Sequence, residues 1–135
     1  MAMHTELWFP SVIWSAIIHV VDNAELKRFA YDRKKTDPGR SISNYNGYQS
    51  SDITSGTCKE IDKLVEYINK EMSNCAKQVG LAPIEIYNIW LNINPPGSYN
   101  ELHHHSNAVL SGVYYVEAEK DKNANTYGKF YLTTV

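Results

Sequence analysis

The stretch that most constrains this chain runs from Thr57 to Gly80. Ile61, Leu64, Val65, Ile68, Met72, Cys75 and Val79 recur at helical spacing and fall on one face. Thr57-Cys58-Lys59-Glu60 has the form of a capping box at its start, and Gly80 supplies a stop. A helix with one apolar stripe cannot bury that stripe alone, so it needs a partner layer. Two β-forming runs downstream offer one: residues 84–94 and residues 109–116. The pairing predicts a mainly β, mixed α+β domain with helices packed on one side.

The rest of the chain fits around that unit. Residues 6–18 form a strand pattern, and Pro10 confines it to an edge or a bend. Asp22-Asn23-Ala24-Glu25 resembles a second capping box, opening a helix with Leu26, Phe29, Ala30 and Arg33 at helical spacing. Residues 36–56 read as a long polar loop with two tyrosines, an ordered excursion beside a site or on the surface. Pro95-Pro96-Gly97-Ser98 ends the 84–94 strand in a turn. One face of that strand carries Ile84, Ile86, Asn88, Trp90 and Asn92, as a pocket wall would. The other carries Tyr87, Ile89, Leu91 and Ile93 and is apolar enough to bury. Residues 117–127 are charged and turn-rich, and a last strand at 129–135 ends the sequence abruptly. That abrupt end leads us to expect a truncation of something longer. At 135 residues the chain is expected to form one domain, 1–135.

The best chemical lead is Leu102-His103-His104-His105-Ser106, which contains three of the five histidines. In an extended segment side chains alternate, so His103 and His105 share a face and His104 points away. Two neutral imidazoles that close can hold one metal ion, although two donors do not complete a coordination sphere. The bland alternative is a solvated loop. A net charge of -2 gives no reason to expect nucleic-acid or anionic-membrane binding. No apolar run reaches the ~20 residues a membrane helix needs. Cys58 and Cys75 lie in or at the same helix, roughly 25 Å apart along it, too far for a disulfide. Free thiols and a cytoplasmic location are therefore expected. Ser111-Gly112 lacks the frame of a hydrolase nucleophile elbow.

Four segments, in order, resemble a family of 2-oxoglutarate- and Fe(II)-dependent oxygenases of marine bacteria and phages. They are Leu7-Trp8-Phe9-Pro10-Ser11-Val12-Ile13-Trp14 and Asn46-Gly47-Tyr48-Gln49-Ser50, then Trp90-Leu91-Asn92-Ile93-Asn94 with Gly97-Ser98-Tyr99-Asn100, then His103-His104-His105-Ser106-Asn107 with Leu110-Ser111-Gly112-Val113-Tyr114-Tyr115-Val116. The resemblance implies a double-stranded β-helix, a cupin-like jelly roll, here incomplete. It implies Fe(II) and 2-oxoglutarate as cofactor and cosubstrate, and a metal site holding His103 and His105. His105 stands where many relatives carry a carboxylate. Trp90, Asn92 and Tyr115 would line the pocket. The family's distal histidine has no counterpart, since none follows His105, and no basic residue follows Tyr131 to anchor 2-oxoglutarate. A gene fragment, strands supplied by a partner protomer such as a homodimer mate, and lost activity all remain open. The second functional reading is a non-catalytic cupin-like binding or assembly module, metal-binding or not, whose open sheet edges invite strand addition.

Overall fold

The computed structural model describes residues 11–118 and 129–134, a mixed α+β arrangement. Its elements in order are β1 (Ile13–Ile17), α1 (Asn23–Thr36), β2 (Asn44–Tyr45), β3 (Tyr48–Gln49), α2 (Lys59–Gln78), β4 (Asn92–Ile93), β5 (Tyr99–Asn100), β6 (Leu110–Tyr115) and β7 (Lys129–Thr134). The Leu7–Pro10 part of the N-terminal motif and the turn-rich residues 119–128 lie outside the described residues. β1, β7 and β6 form an antiparallel sheet in that order, and β2–β5 and β3–β4 form two short antiparallel ladders. Among the described residues no strand order closes into a barrel. No helix among them is long and apolar enough to cross a membrane.

The α2 stripe does what its spacing predicts. Ile61, Leu64, Ile68, Met72 and Ala76 are buried. Leu64, Ile68 and Met72 meet Ile18, with Trp14, Leu110 and Tyr114 of the sheet packed against them. Ile61 joins Leu26 of α1 and Ile53 of the long loop, backed by Ile89 and Leu91. Val79 remains more than a third exposed, because the helix ends before it. Gly80, at φ +73, terminates α2 as expected. The sheet's other face is mixed and open: Ile13, Ile17 and Val113 are exposed, and Ser15 and Ser111 share that face with them.

Three local expectations are corrected. Cys58 is the N-cap of α2 and makes no side-chain cap bond, so the Thr57–Glu60 box does not form. The Glu60 carboxylate instead accepts from the Asp22 N–H at 2.8 Å, across to the start of α1. Asp22 caps α1 as predicted, accepting from the Ala24 and Glu25 N–H groups, but Glu25 pairs with Arg28 rather than reaching back. Helix α1 thus takes its second cap from α2.

The long strand expected over 84–94 is the third correction: only Asn92–Ile93 forms a regular ladder. Ile86 packs on one core cluster and Ile89 on the other. Tyr87, expected to share a face with Ile89, is 88% exposed while Ile89 packs, so the run does not alternate as a regular strand would. Side chains take the place of a neighbouring strand here. Asn69 Oδ1 accepts from the Ile86 N–H at 2.8 Å, and Ser50 Oγ accepts from the Leu91 N–H at 3.0 Å.

Candidate metal-binding site

The long polar loop of residues 36–56 is a scaffold for the segment that carries Trp90. Its first turn is organised by Asp37, which is buried at 7% exposure. The Asp37 carboxylate accepts from the Gly39 N–H at 2.8 Å, the Ser51 N–H at 2.9 Å and Arg33 Nε at 3.0 Å. The Gly39 amide foremost, then Ser51 and Arg33, outweigh burial and pull its carboxyl down to about 2. Arg40 donates to the Ser50 carbonyl and to Asp52. Tyr48, Gln49 and Ser50 are buried as a result, and β3 pairs with β4 in the register Tyr48↔Ile93 and Gln49↔Asn92. The Asn46–Ser50 motif is therefore the lateral support of the Trp90–Asn94 strand.

After the turn at Pro95, whose carbonyl accepts from the Ser98 N–H, β5 returns alongside β2. Gly97 takes φ +81, the left-handed position of such a turn. The chain then bends at Leu102 and passes through the histidines outside any ladder. It turns at Ser106-Asn107, where the Ala108 N–H bonds the His105 carbonyl, and enters β6.

The His103 and His105 rings stand 4.9 Å apart between centroids, nearly perpendicular at 77°. This agrees with alternation placing them on one side. His103 Nδ1 lies 2.7 Å from the Glu101 carbonyl. A carbonyl can only accept, so Nδ1 carries a proton, and the tautomer this bond selects in the neutral ring is the one with its lone pair on Nε2. His105 is half-buried, with the Trp90 ring 5.7 Å from its own. Burial, with the charges of His103 and His104 adding to it, lowers its pKa, so its neutral form is favoured.

An imidazole whose second nitrogen bonds a backbone carbonyl, as His103 does, is a common arrangement in histidines that bind a transition metal. Two imidazoles supply at most two of the positions a transition-metal ion requires. Among the described residues no third His, Cys, Asp or Glu joins them. The other predicted site residues are spread more widely. Trp90 stands at the pair. Asn92 is exposed, opposite Gln49 in the β3–β4 ladder. Tyr115 closes β6, roughly 16 Å of strand beyond Leu110. A groove of about 490 Å³ lies elsewhere, between α2 and the 86–89 segment, lined by Ile53, Asp62, Val65, Glu66, Ile86 and Tyr87 with no histidine. The Glu101 carbonyl, which sets the His103 tautomer, is a backbone group, and no side-chain pattern in the sequence announces it.

Residues 88–131 match the model of a family described as "Putative 2OG-Fe(II) oxygenase". The match takes in Trp90, Asn92, His103, His105 and all of β6. No curated protein and no solved structure matches the chain.

Proposed function

We propose that this chain is a non-haem Fe(II)- and 2-oxoglutarate-dependent oxygenase domain whose iron is held by His103 and His105. The observation that carries the reading is the imidazole pair itself, 4.9 Å apart with the His103 Nδ1 bonded to the Glu101 carbonyl, inside the stretch the family model matches. Such oxygenases hold iron through two histidines and a carboxylate, leaving positions open for cosubstrate and oxygen. His103 and His105 fill two positions here, and a further protein ligand is required beyond the described residues.

The chain's own groups prepare the site in three ways. The Glu101 carbonyl fixes the His103 ring so that Nε2 is the donor. The Trp90 ring lies 5.7 Å from that of His105, whose burial favours the uncharged form. The β3–β4 ladder, with Ser50 and Ile53 bonded to the adjacent residues, holds Trp90 in place. When bound, iron with 2-oxoglutarate supplies oxidation of a substrate C–H bond coupled to decarboxylation of the cosubstrate to succinate. Trp90 and Asn92 belong to the pocket wall in this reading, and Tyr115 to its far side.

The finer architecture, a double-stranded β-helix, belongs to the same proposal. It is supported by the antiparallel β1–β7–β6 sheet and by the exposed Ile13, Ile17 and Val113 on its outer face, which a second sheet would cover.

The test is iron content after anaerobic Fe(II) loading of the wild-type protein and of the His103→Ala/His105→Ala variant. Close to one iron per chain, abolished in the variant, is the expected result, followed by oxygen-dependent release of succinate from 2-oxoglutarate. Iron in neither protein refutes the reading. Iron without succinate release identifies a metal-binding module with no oxygenase activity.

A further inference from the structure

The His103 ring is oriented by a backbone carbonyl, so whatever fixes that carbonyl fixes the ring. Glu101 follows β5 directly, and β5 pairs with β2 through only two residues, Asn44↔Asn100 and Tyr45↔Tyr99. A two-stranded ladder this short is not stable in water on its own. Four further contacts hold it. The Glu101 N–H donates to the Ser43 carbonyl at 2.7 Å. Asn100 Nδ2 donates to Ser43 Oγ at 3.2 Å, and Asn94 Nδ2 reaches Asn100 Oδ1 at the long distance of 3.4 Å. The Tyr45 and Tyr99 rings stack at 5.0 Å. The amide of Glu101 is thereby tied to Ser43 on one side, and its carbonyl accepts from His103 Nδ1 on the other.

We propose that Asn100 is a positioning residue for the metal pair, acting through Ser43 and the Glu101 backbone on the tautomer and direction of the His103 ring. Asn100 lies three residues before His103, and its carboxamide is engaged with Ser43 and Asn94 rather than with a histidine. It links the long loop, the Pro95 turn and the histidine segment in one line. Its loss frees the β5 end, lengthens the Glu101 carbonyl bond to His103, and lets the proton redistribute between Nδ1 and Nε2. A ring protonated on Nε2 cannot donate that nitrogen to a metal. Groups bonded directly to a ligating histidine typically contribute about 10–100-fold in metal affinity; Asn100 acts on such a bond through the Glu101 backbone, so the lower end applies.

The inference rests on the reading of His103 as a metal ligand, and the test separates the two. The proteins are the wild type, Asn100→Ala, Ser43→Ala and the double variant, each first shown to be folded by urea unfolding. Two quantities are measured: the His103 tautomer in the metal-free protein, from its ring nitrogen shifts by NMR, and the dissociation constant for Co(II). Wild type is expected to show His103 protonated on Nδ1. Each single variant is expected to show a mixture of tautomers and about tenfold or more weaker Co(II) binding. The double variant should lose little beyond either single one, since both act through one bond. A His103 tautomer unchanged in Asn100→Ala overturns the proposal, as does Co(II) affinity within twofold of wild type. If wild type binds no Co(II), the metal reading fails, and the tautomer alone decides the role of Asn100.

Discussion

Replacing Ser50 with alanine tests how the Trp90 segment is held. Ser50 is fully buried, and its hydroxyl donates to the Ser51 carbonyl at 2.7 Å while accepting from the Leu91 N–H at 3.0 Å. The hydroxyl stands where a strand carbonyl would in a regular ladder, since the Ser50 N–H already donates to the Leu91 carbonyl. Alanine creates almost no cavity but removes the acceptor of the Leu91 N–H beside the fully buried Ser50. A buried donor stripped of its partner costs about 1–3 kcal/mol. At about 2 kcal/mol the folding equilibrium falls roughly 30-fold. With a urea dependence of about 1–3 kcal/mol per molar, the midpoint drops by about 1 M without a change in slope. Amide exchange at Leu91 should accelerate more than at Ile53, whose N–H bonds the Ile89 carbonyl independently of Ser50. A midpoint shift below about 0.3 M, with Leu91 exchanging as in the wild type, would show that the hydroxyl is not the acceptor on which this segment depends.

Two further outcomes follow from the same loop. The Asp37 carboxyl titrates at about 2 in the folded chain against roughly 3.9 when unfolded; its contribution is therefore complete above the unfolded value and lost as pH falls toward about 2. Urea midpoints between pH 6 and 2 should fall less steeply for Asp37→Asn than for wild type below pH ~4, and parallel curves would contradict this. Gly39 sits at φ +76, and a Cβ there would come within 2.8 Å of the Gln49 carbonyl oxygen, which is backbone. Gly56, at φ +81, has open space around its added Cβ. Gly39→Ala should therefore lower the melting temperature by several degrees more than Gly56→Ala, where only backbone strain of about 1–3 kcal/mol applies. Equal losses at the two glycines would remove the clash from the account.

Features decided within a few residues were legible in the sequence. The α2 stripe, the Asp22 cap, the Gly80 stop and the Pro95–Gly97 turn depend on neighbours one helical turn away or less, and the structure forms all four. The nearness of the His103 and His105 rings, 4.9 Å apart, is what their two-residue spacing suggests. The 84–94 run was not legible, because its length and composition suit a regular strand while its hydrogen bonds come from elsewhere.

The tertiary structure alone decided which distant group satisfies which backbone amide. Glu60 caps α1 from 38 residues away, Ser50 receives Leu91 from 41, and Asn69 receives Ile86 from 17. In each case a buried or terminal N–H needs an acceptor, and many polar side chains in the chain could supply one. Local spacing does not select among them; the packing of α2 between the sheet and α1 does. The same holds at the histidines. Their closeness along the chain is a property of the sequence, whereas the bond between His103 Nδ1 and the Glu101 carbonyl, next to the β2–β5 ladder, is a property of the fold.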